Sequence, residues 1–99
     1  IPSHLWIHLP FLKVVDLSFN AIKEITSESF YGLQSLQELN INGMKNLKKF
    51  DSRAIKKIRI LTTLTMQTWP NIEDFSTQMC NLLSSLKQLR ILKIYLQES

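Results

Sequence analysis

The sequence predicts an α/β solenoid, with a curved parallel sheet on the concave side, helical or irregular arms on the convex side, and no cap at either end. Three observations predict it. Apolar residues recur in a fixed order, with units opening at Leu12, Leu36, Leu61 and Leu89, spaced by 24, 25 and 28 residues. Each unit begins with strand-like alternation and continues with wider apolar spacing, which one strand or one helix alone does not produce. The composition is 44% hydrophobic and 20% charged, with two Gly and three Pro in 99 residues, which is packed globular material without long loops. A period of this length marks one supersecondary unit that buries its apolar face only by stacking on its neighbours.

The elements follow in order. Residues 1–11 form the second half of a unit, because "IPSHLWIHLPFL" aligns on "ITSESFYGLQSL", with Ile1 matching Ile25, Trp6 matching Phe30 and Leu9 matching Leu33. Full units then occupy 12–35, 36–60 and 61–88, and a final partial unit occupies 89–99. Each opens as L-x-x-L-x-L: Leu12, Val15, Leu17; Leu36, Leu39, Ile41; Leu61, Leu64, Met66; Leu89, Leu92, Ile94. Two of the three residues sit at alternate positions of a short strand and point inward. Ile22 and Ile25 match Leu47 and Phe50, then Ile72 and Phe75. Phe30 and Leu33 match Ile55 and Ile58, which places Phe30 and Trp6 in the convex-side core. In the third arm Met79, Leu82, Leu83 and Leu86 fall at i, i+3, i+4 and i+7. This predicts a helix with that face inward and Ser76 as its cap. The arms at 27–34 and 52–59 are expected to hold shorter helical turns.

The first full unit resembles the 24-residue type of the leucine-rich repeat family. Its slots hold Leu12, Val15, Leu17, Asn20, Ile22, Ile25, Phe30 and Leu33, and Ile1-Pro2 resembles the "L-P" of the same type. The resemblance covers nearly the whole chain. It implies a non-catalytic recognition module, with a buried amide at the Asn slot satisfying backbone groups of neighbouring coils. Only Asn20 fills that slot, and Met44, Trp69 and Gln97 stand in the equivalent places. The ladder is therefore expected to be broken or shifted, with Trp69-Pro70 making a bulkier turn. Function peculiar to this protein is expected in Met44–Arg59 and Trp69–Pro70, where the units depart from the pattern.

Strand residues beside the inward leucines face the concave side. They form three columns: Val14, Glu38, Thr63, Ile91; Asp16, Asn40, Thr65, Lys93; and Ser18, Asn42, Gln67, Tyr95. The columns drift from acidic through neutral to basic and aromatic. Small polar residues with a few larger anchors suit a protein-binding face. A solvated spacer is the plain alternative, since much of any solenoid is spacer.

A second candidate is basic. Lys45, Lys48, Lys49, Arg53, Lys56, Lys57 and Arg59 lie within fifteen residues, with Asp51 as the opposing charge in that stretch. Such a patch fits an anion. It also fits a solvated arm between buried Leu47, Phe50, Ile55 and Ile58. With no exposed aromatic residue interleaved among the cations to stack on bases, a nucleic-acid partner is not expected.

The sequence excludes several classes. A single cysteine, Cys80, rules out a disulfide framework or a cysteine-rich zinc site, and Cys80 beside Met79 is expected to be a small, partly buried thiol. His4 and His8 are four apart but have no acidic neighbour, so a loop or convex-face pair is expected rather than a metal site. No phosphate loop, H-E-x-x-H or serine elbow occurs, which agrees with a protein that is not an enzyme and needs no cofactor. No apolar run approaches the roughly 18 residues of a membrane span, and no signal peptide is visible.

The expected partner is a protein ligand, homophilic or otherwise. Further repeats of the same chain are expected to cover both ends, making this an internal slice of a longer ectodomain whose membrane contact falls to other regions. The repeat type resembles extracellular adhesion proteins and receptors. The units "LNINGMKNLKKF" and "LTMQTWPNIEDF" resemble chaoptin-like cell-adhesion proteins of arthropods, with Toll-type pattern-recognition receptors as the close alternative. A cytoplasmic adaptor or substrate-recruiting subunit is the second class, left open by the absence of an N-x-S/T sequon. Localisation is accordingly expected at the cell surface or outside the cell, with the cytoplasm as the alternative.

Overall fold

The computed structural model describes residues 4–97, so the expected match of Ile1 to Ile25 and the Ile1-Pro2 pair lie outside the described residues. A 3-10 helix spans Leu5–His8. Strands β1 (Val14–Asp16), β3 (Glu38–Asn40), β5 (Thr63–Gln67) and β6 (Ile91–Tyr95) form one parallel sheet in the order β1-β3-β5-β6. Val14 pairs with Glu38, Glu38 with Thr63, and Thr63 with Ile91, so one column crosses all four strands. Strands β2 (Glu24–Ile25) and β4 (Lys49–Phe50) form a second, two-stranded parallel sheet.

The alternation of the opening motif explains the burial. Val15, Leu39 and Leu64 are the second residues of their strands, and all three are buried, as are Leu36, Ile41, Leu61 and Met66. Asp16 Oδ1 accepts the Ser18 N–H at 2.9 Å, and Asn40 Oδ1 accepts the Asn42 N–H at 2.9 Å, so local turns follow β1 and β3. Backbone bonds between these units continue past the turns, from Leu17 N–H to Asn40 O at 2.8 Å and from Phe19 N–H to Asn42 O at 2.9 Å. Thr65 holds the same position in β5, which runs to Gln67 and pairs with β6 over five residues.

The arms return on the other side of the core. Turns occupy 27–32, α1 spans Arg53–Lys56, and α2 spans Phe75–Ser85. Two expectations about α2 are corrected. Ser76 does not cap it: the helix starts at Phe75, after Asp74 in the left-handed region (φ 59°), and Ser76 is an exposed residue of the first turn. Phe75 sets this entry point, because its ring packs 5.8 Å from Phe50 and 5.9 Å from Trp69. Leu83 does not face the core either. Phe75, Leu82 and Leu86 are buried and Met79 packs against them, while Leu83 is 41% exposed.

The Asn slot also differs from expectation. Asn20 is exposed, and its Nδ2 donates to Leu17 O of its own unit at 3.0 Å. Met44 and Trp69 are buried at 0% and 2%. The departures at these slots are therefore core substitutions rather than surface features, while Pro70 stays exposed. Trp69 Nε1 donates to Met44 O at 3.0 Å, slot to slot across neighbouring units. An indole thus performs the bridging that the amide was expected to perform. Trp6 Nε1 makes a similar bond to Ser29 O at 2.8 Å. Among the described residues no buried side-chain polar atom lacks a partner.

Candidate functional site

The sheet fixes the first two columns as one surface. Val14, Asp16, Glu38, Asn40, Thr63, Thr65, Ile91 and Lys93 line a shallow depression of about 330 Å³. Parallel pairing sets these side chains in rows on the face opposite the core. Val14 and Ile91 are 57% and 48% exposed and stand at opposite ends of the first column. Glu38 and Asp16 lie toward β1, and Lys93 lies on β6, so the face carries acid at one end and base at the other.

The Asp16 carboxyl is held below the usual carboxylate range by hydrogen bonding to the Ser18 side chain and then to its N–H. Asp16 is thus tied to its own turn, and Asn40 likewise. Glu38, Thr63, Thr65 and Lys93 make no side-chain hydrogen bond or ion pair among the described residues, so these four are the polar groups free to meet a partner.

The third column is corrected. Ser18 and Asn42 already belong to the turns that end β1 and β3, and both are half-buried. Gln67 is buried, with its Nε2 donating to Thr68 O at 3.3 Å. Only Tyr95, 53% exposed, remains an open side chain of that column.

The basic segment is less free than its sequence implies. Asp51 is not the only opposing charge, because the preceding unit contributes two carboxylates. Lys49 Nζ lies 3.6 Å from Glu24 Oε1, directly across the β2–β4 pair. Lys57 Nζ lies 2.8 Å from Glu28 Oε1 and also donates to Ser27 O at 3.1 Å. Arg53 Nη2 meets Asp51 Oδ2 at 2.6 Å, with Nε donating to both carboxylate oxygens at 3.0 and 3.1 Å. Hydrogen bonding to Arg53 lowers the Asp51 pKa, and hydrogen bonding to Lys57 lowers that of Glu28. Lys45, Lys48, Lys56 and Arg59 have no carboxylate within 4.0 Å among the described residues, so an anion site would rest on these four.

The remaining candidates are dispersed. His4 and His8 are both exposed, at and beside the 3-10 helix. Cys80 is exposed rather than partly buried, since it lies on the outward side of α2. Among the described residues no group of His, Cys, Asp and Glu could hold a metal ion, and no helix is long and apolar enough to cross a membrane. The sequence analysis does not single out three exposed aromatics: Phe11 at 85%, Phe19 at 78% and Tyr31 at 57%. Each stands at a variable position between consensus residues, which is the signal that marks them.

Comparisons with known proteins agree with this architecture. The family description "Leucine rich repeat" matches residues 10–68. The chain is 36% identical over 70 residues to Tsukushi of Gallus gallus, covering 70% of this chain and 18% of that protein. It is 28% identical over 94 residues to Toll-like receptor 3 of Boselaphus tragocamelus, covering 87% of this chain and 10% of that protein. The chain thus spans under a fifth of the length of the curated relatives it matches. No solved structure matches it.

Proposed function

This chain belongs to the leucine-rich repeat family, and from that premise we propose that its sheet face binds a protein ligand outside the cell, without catalysis. One observation carries the reading. Glu38, Thr63, Thr65 and Lys93 converge on one depression with their polar groups unspent, flanked by exposed Val14 and Ile91. Apolar ends with a polar middle of mixed sign are what selective protein contact requires.

Between adhesion of the chaoptin-like kind and Toll-type recognition, the similarity to a Toll-like receptor favours the second. Further repeats stack on both ends and complete a curved solenoid. The support is apolar surface: Leu92 and Ile94 are 37% and 39% exposed, although the equivalent Leu64 and Met66 are fully buried. Only another strand of the same kind covers them as β6 covers β5.

The test is charge reversal on the sheet face. Glu38→Lys and Lys93→Glu, separately and together, are made in the full chain, and binding is measured against a panel of purified extracellular proteins. The expected result is at least tenfold weaker binding for each single variant with unchanged thermal unfolding. Equal binding by all variants overturns the reading.

A further inference from the structure

We propose that a groove on the arm side of the molecule receives an acidic peptide segment of a protein partner, anchored by one apolar side chain. The groove is separate from the sheet face and does not depend on that reading.

One residue lets two neighbouring arms approach closely at its floor. His8, Gly32 and Lys57 occupy the same position in successive units, and only the middle one lacks a side chain. Gly32 has φ +99°, and a Cβ placed there would lie 3.0 Å from the backbone of Trp6 and Ile7. The hollow left between the neighbouring arms has a volume of about 590 Å³ and is lined by Ile7, Pro10, Tyr31, Gly32, Lys57 and Arg59, among others. That is the size range of specific ligand sites.

The walls are held rather than loose. Trp6 Nε1 ties the first arm to Ser29 O at 2.8 Å, immediately before Phe30 of the groove wall. Lys57 is braced by Glu28 and Ser27 O. A preformed groove loses little conformational freedom when it binds.

The lining names the ligand. Ile7 is 43% exposed and Tyr31 57% exposed, and both line the groove. Arg59 lines it too, and among the described residues no carboxylate is within 4.0 Å of it. No acidic residue lines the groove, and with Lys57 paired to Glu28 beside it the uncompensated positive charge is that of Arg59. An apolar side chain resting on Ile7 and Tyr31, with a carboxylate reaching Arg59, meets both halves. Arg pairs with a carboxylate through two parallel hydrogen bonds, which gives direction as well as attraction. A sulfated glycan would use the cations but leave Ile7 and Pro10 without a counterpart.

The test uses the full chain and a displayed library of random dodecapeptides. Selection on the wild type is expected to enrich peptides that place an acidic residue within three positions of a large apolar one. Their binding is expected to fall at least tenfold on Arg59→Glu and on Tyr31→Ser. It is expected to stay unchanged on Lys45→Glu and on the sheet-face variant Glu38→Lys. Tyr31 and Arg59 are exposed, and unchanged circular dichroism and melting of the variants confirm that their fold is intact. Failure to enrich any peptide, a consensus without an acid, or equal binding by Arg59→Glu overturns the proposal. Heparin binding that needs Arg59 but not Tyr31 also overturns it, in favour of a glycan.

Discussion

The indole N–H of Trp69 reaches the carbonyl of Met44 at 3.0 Å, joining two residues that occupy the same slot of successive repeats. Both residues are buried, so the carbonyl has no access to water. Trp69→Phe keeps a ring beside Phe50 and Phe75 but removes the donor. The expected loss is about 1–3 kcal/mol, the cost of an unpaired buried acceptor together with the trimmed ring. Asn20→Ala, at the consensus slot, is exposed and is expected to cost no more than about 0.5 kcal/mol. Urea unfolding of the two variants ranks them, and the reverse order would refute the assignment of the bridging role.

Two glycines are expected to respond differently to alanine. At Gly43, φ +77°, a Cβ would meet the Phe19 ring at 2.5 Å, but that ring is 78% exposed and free to swing aside. The backbone cost of about 1 kcal/mol then remains. At Gly32 the obstacle is backbone, which cannot yield without parting two arms. Gly32→Ala is expected to cost at least twice as much as Gly43→Ala in the same unfolding assay. Phe19→Ala is expected to leave the Gly43→Ala cost nearly unchanged.

Acid is expected to weaken the fold in a defined window. Asp51, Glu28 and Asp16 all have their pKa lowered in the folded protein. A lowered folded pKa means that the unfolded chain takes up protons first, so the stabilisation is present above the unfolded value and lost below it. Melting temperature is expected to hold from neutral pH to about pH 5 and to fall below about pH 4. Arg53→Ala removes the leading cause at Asp51 and is expected to flatten that fall. An unaltered profile would show that the Arg53 pair contributes nothing.

The exposed apolar end is expected to drive association. Leu92, Ile94 and Leu96 stay exposed beside β6, and Leu83 lies on the same open side of α2. The 99-residue chain expressed alone is expected to self-associate at micromolar concentration. Ile94→Lys with Leu96→Glu is expected to shift it toward monomer in light scattering. A monomeric wild type would show that these faces are tolerated by water.

What was legible in the sequence is the register. The columns through Val14, Glu38, Thr63 and Ile91, and through Asp16, Asn40, Thr65 and Lys93, follow from the spacing of the leucines alone, and they are the pairs the sheet makes. What was not legible depends on contacts between units that periodicity does not encode. Gln67 is buried at the end of the five-residue β5, whereas its counterparts Ser18 and Asn42 lie in turns after β1 and β3. The start of α2 was misread because the Phe50–Trp69–Phe75 ring cluster, not a serine hydroxyl, places its first residue. The carboxylates that neutralise Lys49 and Lys57 were visible, but one unit upstream, outside the window in which the cations were counted. For the candidate site, the face could be read and the freedom of each side chain could not.

The two buried indoles give the molecule an optical consequence. Trp6 lies in the first arm and Trp69 in the third turn, each shielded from water and each bonded to the backbone of an adjoining unit. Their emission reports two separate places along the stack. If the units melt as one body, the red shifts of Trp6 and Trp69 coincide. If they peel apart in sequence, one indole darkens or shifts before the other. Single-tryptophan versions of the chain therefore carry a built-in gauge of how far order at one end is felt at the other.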